Sequence, residues 1–549
     1  MPAINLVNIS FSYATVPVLN DVSLHVSDGE RACLVGPNGC GKTTLLRIAA
    51  GDLPAQRGKV EGTEREHFRV PSIEQLPGNV GDYLDVALRP LRAVANQFAE
   101  VTSRIGEGGE LGEWEREYDQ LLAQMTSFDI WSLDARVAEV LAGLGLMSFT
   151  RSGRNRELSR LSPGQRGRLQ LAATLILKPV VLILDEPTNH LDAQALSFLT
   201  QTVNSWGGPV LMASHDRAFI EDTATVIYDM DVEVFNALAK AEGVGETAGL
   251  YRCTGGYSDY LTEKARARTK YVELHAAQQA EARKVQRHRQ AAGKISRGGV
   301  RLATAEGKAK KFFSDRAAAT ATRRIRNDDQ RLDTLAVREV RKPRNYELSF
   351  AFAQPAKRAG VAVSVRLASV EQRLAPLSFD VVYGEHLLVT GANGSGKSTL
   401  LNWISSGQPP ADASASGTIT RDKAVSLVPQ HLPRVRDFGF TTEVWRGGIG
   451  KAGKGILHPA MWATPIPELS AGNQRRAQIA LALASAPAIL IIDEPTNFLD
   501  LDSMQALEDA LSEWKGTLII ASHDRWLIDH WQGSTIRIQE CFDKAKPWA

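Results

Sequence analysis

The sequence has few cysteines, no long apolar run and no leader-like beginning. Its four cysteines include no C-x-x-C pair and are too few for a disulfide-stabilised scaffold, which favours a reducing compartment. The longest nearly apolar run spans residues 479–492, which is shorter than the about 18 residues that a membrane-spanning helix needs. The first residues lack the basic segment followed by an apolar one that marks a secretory signal. We therefore expect a soluble, cytoplasmic protein without a membrane partner.

The composition excludes wholesale disorder. Hydrophobic residues make up 43% and charged residues 23% of the 549 positions, which is ordinary globular usage. At roughly 100–200 residues per domain, this length predicts about three structural units. We expect them to be residues 1–262, 263–344 and 345–549.

The charge is distributed unevenly along the chain. Residues 263–344 hold 23 Lys and Arg against 9 Asp and Glu, a net charge of +14 in a chain whose total is +2. The rest of the chain is therefore acidic. A localised basic segment of this kind predicts an element that binds a polyanion. The alternative is a solvated helical face, but such a face would normally mix charges of both signs.

Two glycine-rich segments, residues 36–43 and 391–398, fit the pattern G-x-x-x-x-G-K-[ST]. Each follows a short apolar run and precedes a helix-like segment, which is the context that a phosphate-binding loop requires. Backbone N–H groups at the start of such a helix bind phosphate oxygens. Lys42 and Lys397 would reach the terminal phosphates, and the hydroxyl groups that follow them would bind Mg²⁺.

Further spacings recur in the two halves of the chain. Gly36 precedes Gln75 by 39 positions, and Gly391 precedes Gln430 by the same interval. The leucine that opens LSPGQ or LSAGN lies 24 positions before an Asp-Glu pair, and the histidine of an SHDR string follows that aspartate by 30 positions. The chain is therefore a tandem duplication of one nucleotide-binding unit.

Together these motifs resemble those of the ATP-binding cassette ATPases: Walker A, a glutamine loop, an LSxGx signature, the Walker B strings VVLILDEPTNHLD and AILIIDEPTNFLD, and a histidine switch. The doubled cassette, the two EPTN-x-LD strings, the TGGYSDYLTEK segment and the basic connector resemble the ABC-F group. The resemblance implies an α/β fold with two tandem P-loop cassettes, each a mixed sheet with a helical subdomain, joined by a long α-helical hairpin linker. It also implies ATP hydrolysis and ribosome binding, as a translation factor or as an antibiotic-resistance protein.

The carboxylates of the Walker B strings have distinct roles in this interpretation. An apolar run at residues 180–184 predicts a buried parallel strand that delivers Asp185 and Glu186 to the edge of the sheet where ligands bind. The aspartates would hold Mg²⁺, and the glutamates would orient and deprotonate the attacking water. The predicted catalytic residues are Glu186, Glu494, His215 and His523.

The resemblance also gives the residues that contact nucleotide and metal. Those expected to bind ATP are Tyr13, Gly36, Asn38, Gly39, Gly41, Lys42, Thr43, Thr44, Gln75, Ser162, Gly164, Gln165, Gly391, Asn393, Gly394, Gly396, Lys397, Ser398, Thr399, Gln430, Ser470 and Gly472. The expected Mg²⁺ ligands are Thr43, Gln75, Asp185, Ser398, Gln430 and Asp493.

Each signature string would form a second anion-binding helix N-terminus, capped by Ser162 or Ser470. In the family, this loop faces the nucleotide of the opposite cassette. Site 1 then combines Lys42, Glu186 and His215 with the second signature, and site 2 combines the equivalent residues of the second cassette with the first signature. We expect both sites to hydrolyse ATP within one monomeric chain.

Two positions depart from a simple duplication. Tyr13 is placed to stack on adenine, whereas aligning Leu19 with Leu374 puts Ala368 at the equivalent position of the second half. Cys40 lies in the first P-loop where Ser395 lies in the second. It is either a tolerated small residue or, because a helix N-terminus can lower a thiol pKa, an oxidant-sensitive one.

The first half contains 47 more residues than the second between its glutamine loop and its signature, within about residues 92–140. Trp114, Tyr118, Leu121 and Leu122 recur there at helical spacing, which predicts an amphipathic helical pair. This pair either enlarges the helical subdomain or forms the ribosome-contacting arm of the ABC-F group.

The connector is rich in helix-forming residues, and we expect Gly293, Gly298 and Gly299 to break the helix near its middle. We expect two long helices that fold back at a tip near residues 290–310. Basic residues at the tip would neutralise phosphates of rRNA and tRNA, and the neighbouring phenylalanines would either stack on bases or clamp the helices together. The predicted RNA-binding residues are Arg297, Arg301, Lys308, Lys310 and Lys311.

Two other classes of protein contain such cassettes. One is the soluble ATPase subunit of an ABC transporter, for which a basic hairpin between the cassettes has no explanation. The other is a DNA-repair or chromosome-structure ATPase, which usually carries long coiled coils or zinc modules that this sequence lacks.

Overall fold

The structure is a computed structural model. It describes residues 3–62, 70, 72–73, 76–106, 111–150, 152–189, 191–243, 249–295, 307–340, 342, 356, 358–392 and 394–539. Four predicted site residues, Gln75, Asn393, Arg297 and Arg301, lie outside the described residues. Lys308, Lys310 and Lys311 lie in a helix by their backbone, but their side chains are outside the described part.

Sixteen strands occur in the described residues. They are β1 (Ile4–Tyr13), β2 (Val16–Val26), β3 (Arg31–Val35), β4 (Arg57–Gly62), β5 (Leu182–Asp185), β6 (Val210–Ala213), β7 (Val226–Asp229), β8 (Tyr251–Thr254), β9 (Val361–Val370), β10 (Leu374–Val382), β11 (His386–Thr390), β12 (Ala415–Arg421), β13 (Val425–Val428), β14 (Ile489–Asp493), β15 (Thr517–Ala521) and β16 (Ser534–Arg537).

The α-helices of the same residues are α1 (Lys42–Ala49), α2 (Val80–Ala87), α3 (Arg89–Gly106), α4 (Leu111–Ser127), α5 (Leu133–Gly143), α6 (Pro163–Leu177), α7 (Ala193–Asn204), α8 (Arg217–Thr223), α9 (Glu233–Glu242), α10 (Tyr257–Ile295), α11 (Gly307–Val337), α12 (Lys397–Ser406), α13 (Thr442–Gly447), α14 (Ala471–Ala484), α15 (Leu501–Glu513) and α16 (Arg525–Asp529). Short 3₁₀ turns lie at Ile130–Ser132, Met147–Phe149, Ser152–Asn155, Leu158–Arg160, Gly450–Gly453, Pro459–Met461 and Ile466–Glu468.

Each half of the chain builds one five-stranded sheet and one three-stranded sheet. The larger sheets have the orders β5-β6-β3-β7-β8 and β13-β14-β15-β11-β16, and all of their pairs are parallel except β7 with β8. The smaller sheets, β2-β1-β4 and β10-β9-β12, are antiparallel. The central parallel strands are almost continuously apolar and buried because helices cover both of their faces. The predicted α/β fold with two tandem cassettes is confirmed.

The extra segment of the first half forms the predicted pair of helices, α3 and α4. Phe98 of α3 lies 5.3 Å from the ring of Tyr118 in α4 and 5.3 Å from that of Trp131. Leu121 and Met125 are buried beneath these rings. Helices α3 and α4 pack against each other and on the helical part of the first cassette.

The connector forms a hairpin of helices α10 and α11, as predicted. Asp328 is 4% exposed and lies 2.7 Å from Nδ1 of His288, while Asp329 pairs with Arg289 at 2.8 Å. Helix α10 continues through Gly293, so the expectation that this residue breaks the helix is wrong. An internal glycine costs only about 1 kcal/mol relative to alanine, which a helix of 39 residues tolerates. The helix begins at Tyr257, so the boundary that we predict at residue 263 falls inside it.

The two cassettes contact each other through helices α8 and α16. The side chain of Arg217 is fully buried and forms a fork with Glu508, with N···O distances of 2.7 and 2.5 Å, and it lies 2.9 Å from Asp524. Its guanidinium also lies over the ring of Trp526, whose edge meets Tyr257 at the start of the linker. Cassettes and linker therefore share one buried junction.

In the described part of the chain, no helix combines the length and the low polarity that crossing a bilayer would require.

Candidate nucleotide-binding sites

The two P-loops have closely similar backbones. Gly41 and Gly396 precede α1 and α12 with φ angles of 105° and 99°, a region that favours glycine. A Cβ at Gly41 would lie 2.8 Å from the side chains of Val18 and Leu19. A Cβ at Gly396 would lie 2.2 Å from the carbonyl of Arg373. The loops are thus fitted against the neighbouring β-hairpins, and only glycine is tolerated at this position.

The P-loop lysines curl onto their own loops. Nζ of Lys42 donates to the carbonyls of Gly36 and Pro37 at 2.8 and 3.2 Å. Nζ of Lys397 donates to the equivalent carbonyls, those of Gly391 and Ala392, at the same distances. Both ammonium groups are nearly buried, at 8% and 7% exposure. They are therefore held where phosphate oxygens could replace the carbonyl partners.

The Walker B carboxylates lie where predicted, at the carboxyl ends of β5 and β14. Glu186 and Glu494 follow these strands with φ angles of 46° and 54°, a left-handed conformation that is costly for a residue with a Cβ. The backbone N–H groups of His215 and His523 each donate to the glutamate of the same half at 3.3 Å. Each site thus holds its glutamate and its histidine together.

The electrostatic environments of the two sites differ. Burial, opposed by Lys42, raises the pKa of Glu186 to about 7, and burial together with Lys42 lowers the pKa of His215 to about 4. In the second half, Nδ1 of His523 lies 2.7 Å from Glu494, and this hydrogen bond raises the pKa of His523. In the first half, it is the other ring nitrogen, Nε2 of His215, that lies nearest to Glu186, at 3.5 Å.

The chemistry of the residues present fits Mg²⁺ with ATP. Burial raises the pKa of Asp493, and the neighbouring hydroxyl of Ser398 lowers it in part; these two residues are one of the pairs predicted to ligate the metal. Mg²⁺ is usually bound by one or two carboxylates together with substrate phosphates. Accordingly, the part of the chain that the structure describes contains no cluster of three or more metal-ligating side chains. Gln430 follows β13 and is exposed.

The signature serines cap helices α6 and α14. Ser162 accepts a hydrogen bond from the backbone of Gln165 at 3.2 Å, and the Gln165 side chain accepts one from Ser162 in return, which forms a capping box. Ser470 accepts from the backbone of Asn473 at 3.4 Å.

The first P-loop faces the second signature. Nδ2 of Asn38 donates to the carbonyl of Phe498 at 3.3 Å, across the two cassettes. A Cβ at Gly472 would lie 3.2 Å from the same Asn38 nitrogen. The structure therefore brings together the parts predicted for site 1. The corresponding asparagine of site 2, Asn393, lies outside the described residues.

The β-hairpins at which adenine is predicted to bind differ in length between the two cassettes. Tyr13 is half-exposed at the end of β1, edge-on to Phe11 at 4.9 Å. Leu19 pairs with Phe11, but Leu374 pairs with Val370, so the equivalence of Ala368 with Tyr13 is wrong. The second β-hairpin turns directly after Val370 and lacks the extension that carries Tyr13.

In the second cassette, a cavity of about 420 Å³ opens between the β9–β10 turn and helix α12. It is lined by Arg373, Thr399, Asn402, Trp403, Ser405, Ser406, Gln408, Pro409 and Pro410. The lining is mostly polar and includes one aromatic side chain, that of Trp403.

Sequence reasoning missed Arg475, which organises the second site. This fully buried guanidinium donates to the carbonyls of Asp493 and Glu494 at 2.8 and 2.7 Å and to that of Pro429 beside the glutamine loop. Burial lowers its pKa to about 10. The equivalent residue of the first half is Gly167, whose Cβ position has no neighbour within 4 Å. The only available signal was this Arg-for-Gly difference between the two signature helices.

Cys40 does not have the environment of a reactive thiol. Burial raises its pKa, although Lys42 and backbone N–H groups lower it in part. Its sulfur lies 3.7 Å from that of Met230. The interpretation as a tolerated small residue is the one that this environment supports.

Fold and site together define a protein with two P-loop nucleotide-binding units, one of which meets the signature helix of the other. Residues 19–189 and 374–497 match the family described as ABC transporter. The tylosin resistance ATP-binding protein TlrC of Streptomyces fradiae is 30% identical over 541 residues, which covers 95% of each chain. The ATP-binding protein Uup of Haemophilus influenzae is 29% identical and covers 96% of this chain and 78% of its own.

Among solved structures, the archaeal ribosome recycling factor aABCE1, in complex with the stalk protein aP1, matches with a TM-score of 0.50. It is 17% identical and covers 96% of this chain and 87% of its own, so it supports the fold alone. The chain belongs to the ATP-binding cassette family, in the ABC-F group to which TlrC and Uup also belong. Its ABC ATPase domains bind ATP.

Proposed function

We propose that this protein hydrolyses ATP at two composite sites and uses closure of the cassettes to position its basic linker on the ribosome. There it would act on the tRNA and peptidyl-transferase region, as a translation factor or as an antibiotic-resistance ribosome-protection protein. The observation that carries the ATPase part is the contact of Asn38 with the second signature region. We infer a monomer, because one chain supplies both halves of that contact, and we propose that it acts in the cytoplasm.

The residues of each site would divide the chemistry as follows. Lys42 and Lys397 would exchange their loop carbonyls for phosphate oxygens. Asp185 with Thr43, and Asp493 with Ser398, would hold Mg²⁺, which neutralises phosphate charge when bound. Gln75 and Gln430 would complete these ligand sets.

The glutamates would accept the proton of the attacking water, and the histidines would sense the γ-phosphate. Glu186 and Glu494 are suited to this role because backbone N–H groups fix their carboxylates beside the histidines. Ser162 with Gly164, and Ser470 with Gly472, would present helix N-termini to the nucleotide of the opposite cassette.

The linker supports the ribosomal part of the proposal. Its net charge of +14 suits an RNA partner, since basic side chains displace counterions from phosphates. The proposed RNA contacts are Arg297, Arg301, Lys308, Lys310 and Lys311. The S. fradiae relative is named for tylosin resistance, which favours the antibiotic-resistance form of the proposal.

The linker contacts can be tested by charge reversal. Replacing Arg297, Arg301, Lys308 and Lys310 by Glu should abolish cosedimentation with ribosomes at moderate salt. A matched control reverses the same number of basic residues on exposed cassette surfaces, at Arg57, Lys59, Lys451 and Lys454. Equal ribosome binding by the linker variant and the control would overturn the ribosomal proposal.

The alternative function is that of a soluble ATPase subunit of an ABC transporter, a class that the matched family includes by name. Copurification of the native protein with a membrane permease, and no cosedimentation with ribosomes, would favour this alternative.

A further inference from the structure

The first linker helix begins in the junction between the two cassettes. Nζ of Lys264, which is 7% exposed, lies 3.2 Å from Asp229 of the first cassette and 3.1 Å from Asp502 of the second. It also donates to the hydroxyl of Tyr260 at 2.8 Å, and that hydroxyl donates to Asp229 at 2.7 Å. One buried cation therefore connects the linker to both cassettes.

Asp229 belongs to the wall of site 1. It ends strand β7, where it pairs in register with Val35, the residue before the first P-loop. The next residue, Met230, donates its backbone N–H to Val35 at 3.0 Å. Its Cβ lies 3.1 Å from the position that a Cβ on Gly36 would take. Asp229 is thus fixed to the backbone that would hold the phosphates of site 1.

Asp502 belongs to the opposite wall of the same site. It lies in the first turn of α15, two residues after Asp500, which caps that helix. The carbonyl of Phe498, two residues before Asp500, accepts a hydrogen bond from Asn38 of the first P-loop. Any movement of this loop away from site 1 would carry Asp502 away from Lys264.

Among the residues that the structure describes, site 2 has no equivalent of this arrangement. The two halves are offset by 308 positions from Asp185 to Asp493, so the counterparts of Asp229 and Asp502 are Arg537 and Gln194. The strand registers agree, because Arg537 pairs with Thr390 before the second P-loop. An arginine and a glutamine do not make an attractive site for a lysine. The contact between linker and nucleotide-site walls is therefore one-sided.

We propose that Lys264 is a positioning residue that couples the linker to site 1, so that the linker responds to ATP at site 1 and not directly to ATP at site 2. This inference rests on the proposed ATP binding, but it does not require a ribosome. With site 1 closed, Lys264 bridges both cassettes and fixes the linker base. With site 1 open, Lys264 keeps only its partners in the first cassette, and its contact between the linker base and the second cassette is lost.

The coupling can be measured as a distance change in the full-length protein. Spin labels would be attached through genetically encoded amino acids at Gln330 in α11 and Glu513 in the second cassette, both of which are exposed. A nonhydrolysable ATP analogue should shift the distance distribution in the otherwise unchanged protein and in Lys397→Ala. It should leave the distribution unchanged in Lys42→Ala, because site 1 is then empty.

Lys264→Met should abolish the shift while the protein still binds the analogue, and Lys264→Arg should restore it. Asp502→Asn tests the same contact if Lys264→Met does not fold, and Gln194→Ala is the matched control at the counterpart position. A full shift of the distance distribution in Lys264→Met or Asp502→Asn would overturn the inference. It would also be overturned if Lys42→Ala and Lys397→Ala lost the shift equally, or if the unsubstituted chain showed no shift. A normal shift without ribosome binding would instead overturn the proposed function alone.

Discussion

The two nucleotide sites carry the same motifs but different supporting residues. In the second cassette, Arg475 binds the carbonyls behind Asp493 and Glu494, whereas the first has Gly167 and open space at the equivalent position. The histidine approaches its glutamate through Nδ1 at 2.7 Å in the second half, but through Nε2 at 3.5 Å in the first. The linker base, in contrast, is attached to the walls of site 1. The second site is therefore the more rigidly organised one, and the first is the one connected to the linker.

The junction between the cassettes is also unequal on its two sides. Arg217 and Arg525 occupy equivalent positions in the two SHDR strings. Arg217 is fully buried against two carboxylates, but Arg525 is 37% exposed and pairs only with Asp222, at 3.2 Å. Equivalent arginines of a duplicated sequence thus form a buried ion pair between the cassettes in one case and a partly exposed ion pair in the other.

The largest expected effect concerns this junction. Arg217→Met leaves the buried ends of Glu508 and Asp524 without their cation, so it should destabilise the protein by about 3–5 kcal/mol. Arg525→Met should cost less than about 1 kcal/mol, because the pair it removes is partly solvated. Thermal and urea unfolding of the full chain measure both effects. Equal losses of stability would mean that the junction is symmetric.

The catalytic glutamates test whether the sites turn over independently. Replacing Glu186 and Glu494 together by Gln should lower ATP hydrolysis by about 100-fold or more, because the attacking water loses its base. Of the single variants, Glu494→Gln should be the more damaging, since Glu494 already holds His523. Steady-state phosphate release measures all three. Normal turnover in the double variant would remove these residues from the mechanism.

A smaller effect is expected at Arg475. Arg475→Ala leaves the carbonyls of Pro429, Asp493 and Glu494 without a donor, at a cost of about 1–3 kcal/mol, and should lower turnover at the second site. The matched change Gly167→Ala meets no neighbour and should raise stability by up to about 1 kcal/mol, because alanine favours the helix. Unfolding temperatures and kcat measure these effects. Unchanged stability and turnover in Arg475→Ala would contradict the interpretation that the second site is the more rigidly organised one.

The smallest expected effect concerns binding of the adenine base of ATP. Tyr13→Ala should weaken binding of a fluorescent ATP analogue at site 1 by about 1 kcal/mol, roughly fivefold in Kd, if the ring stacks on adenine. The measurement is made in a Lys397→Ala background, so that only site 1 reports. Tyr13→Phe should bind normally. Unchanged affinity in Tyr13→Ala would exclude the stacking role.

Much of the site could be predicted because its geometry is local. The phosphate loop demands glycines with positive φ and a lysine directly after the last of them, and the signature helix demands a serine cap, so these residues recur at fixed spacing. The helical hairpin of the linker could be predicted equally well, since helix-forming residues occupy both sides of a glycine-containing tip.

The rest depends on contacts between residues far apart in the chain. Arg217 and Glu508 are 291 positions apart, and nothing near either residue predicts their fork. Lys264 was counted among the basic residues of an RNA-binding segment, yet its ammonium is buried between two cassettes. The comparison of Ala368 with Tyr13 failed because the two β-hairpins differ in length, which an ungapped alignment does not register.

Cosedimentation of the Glu186→Gln, Glu494→Gln double variant with purified ribosomes tests the central claim most directly. With ATP the cassettes should remain closed, so the protein should be found in the ribosomal pellet, and with ADP it should stay in the supernatant. Equal distribution under both nucleotides, or no pelleting with ATP, would contradict a nucleotide-controlled ribosome-binding role.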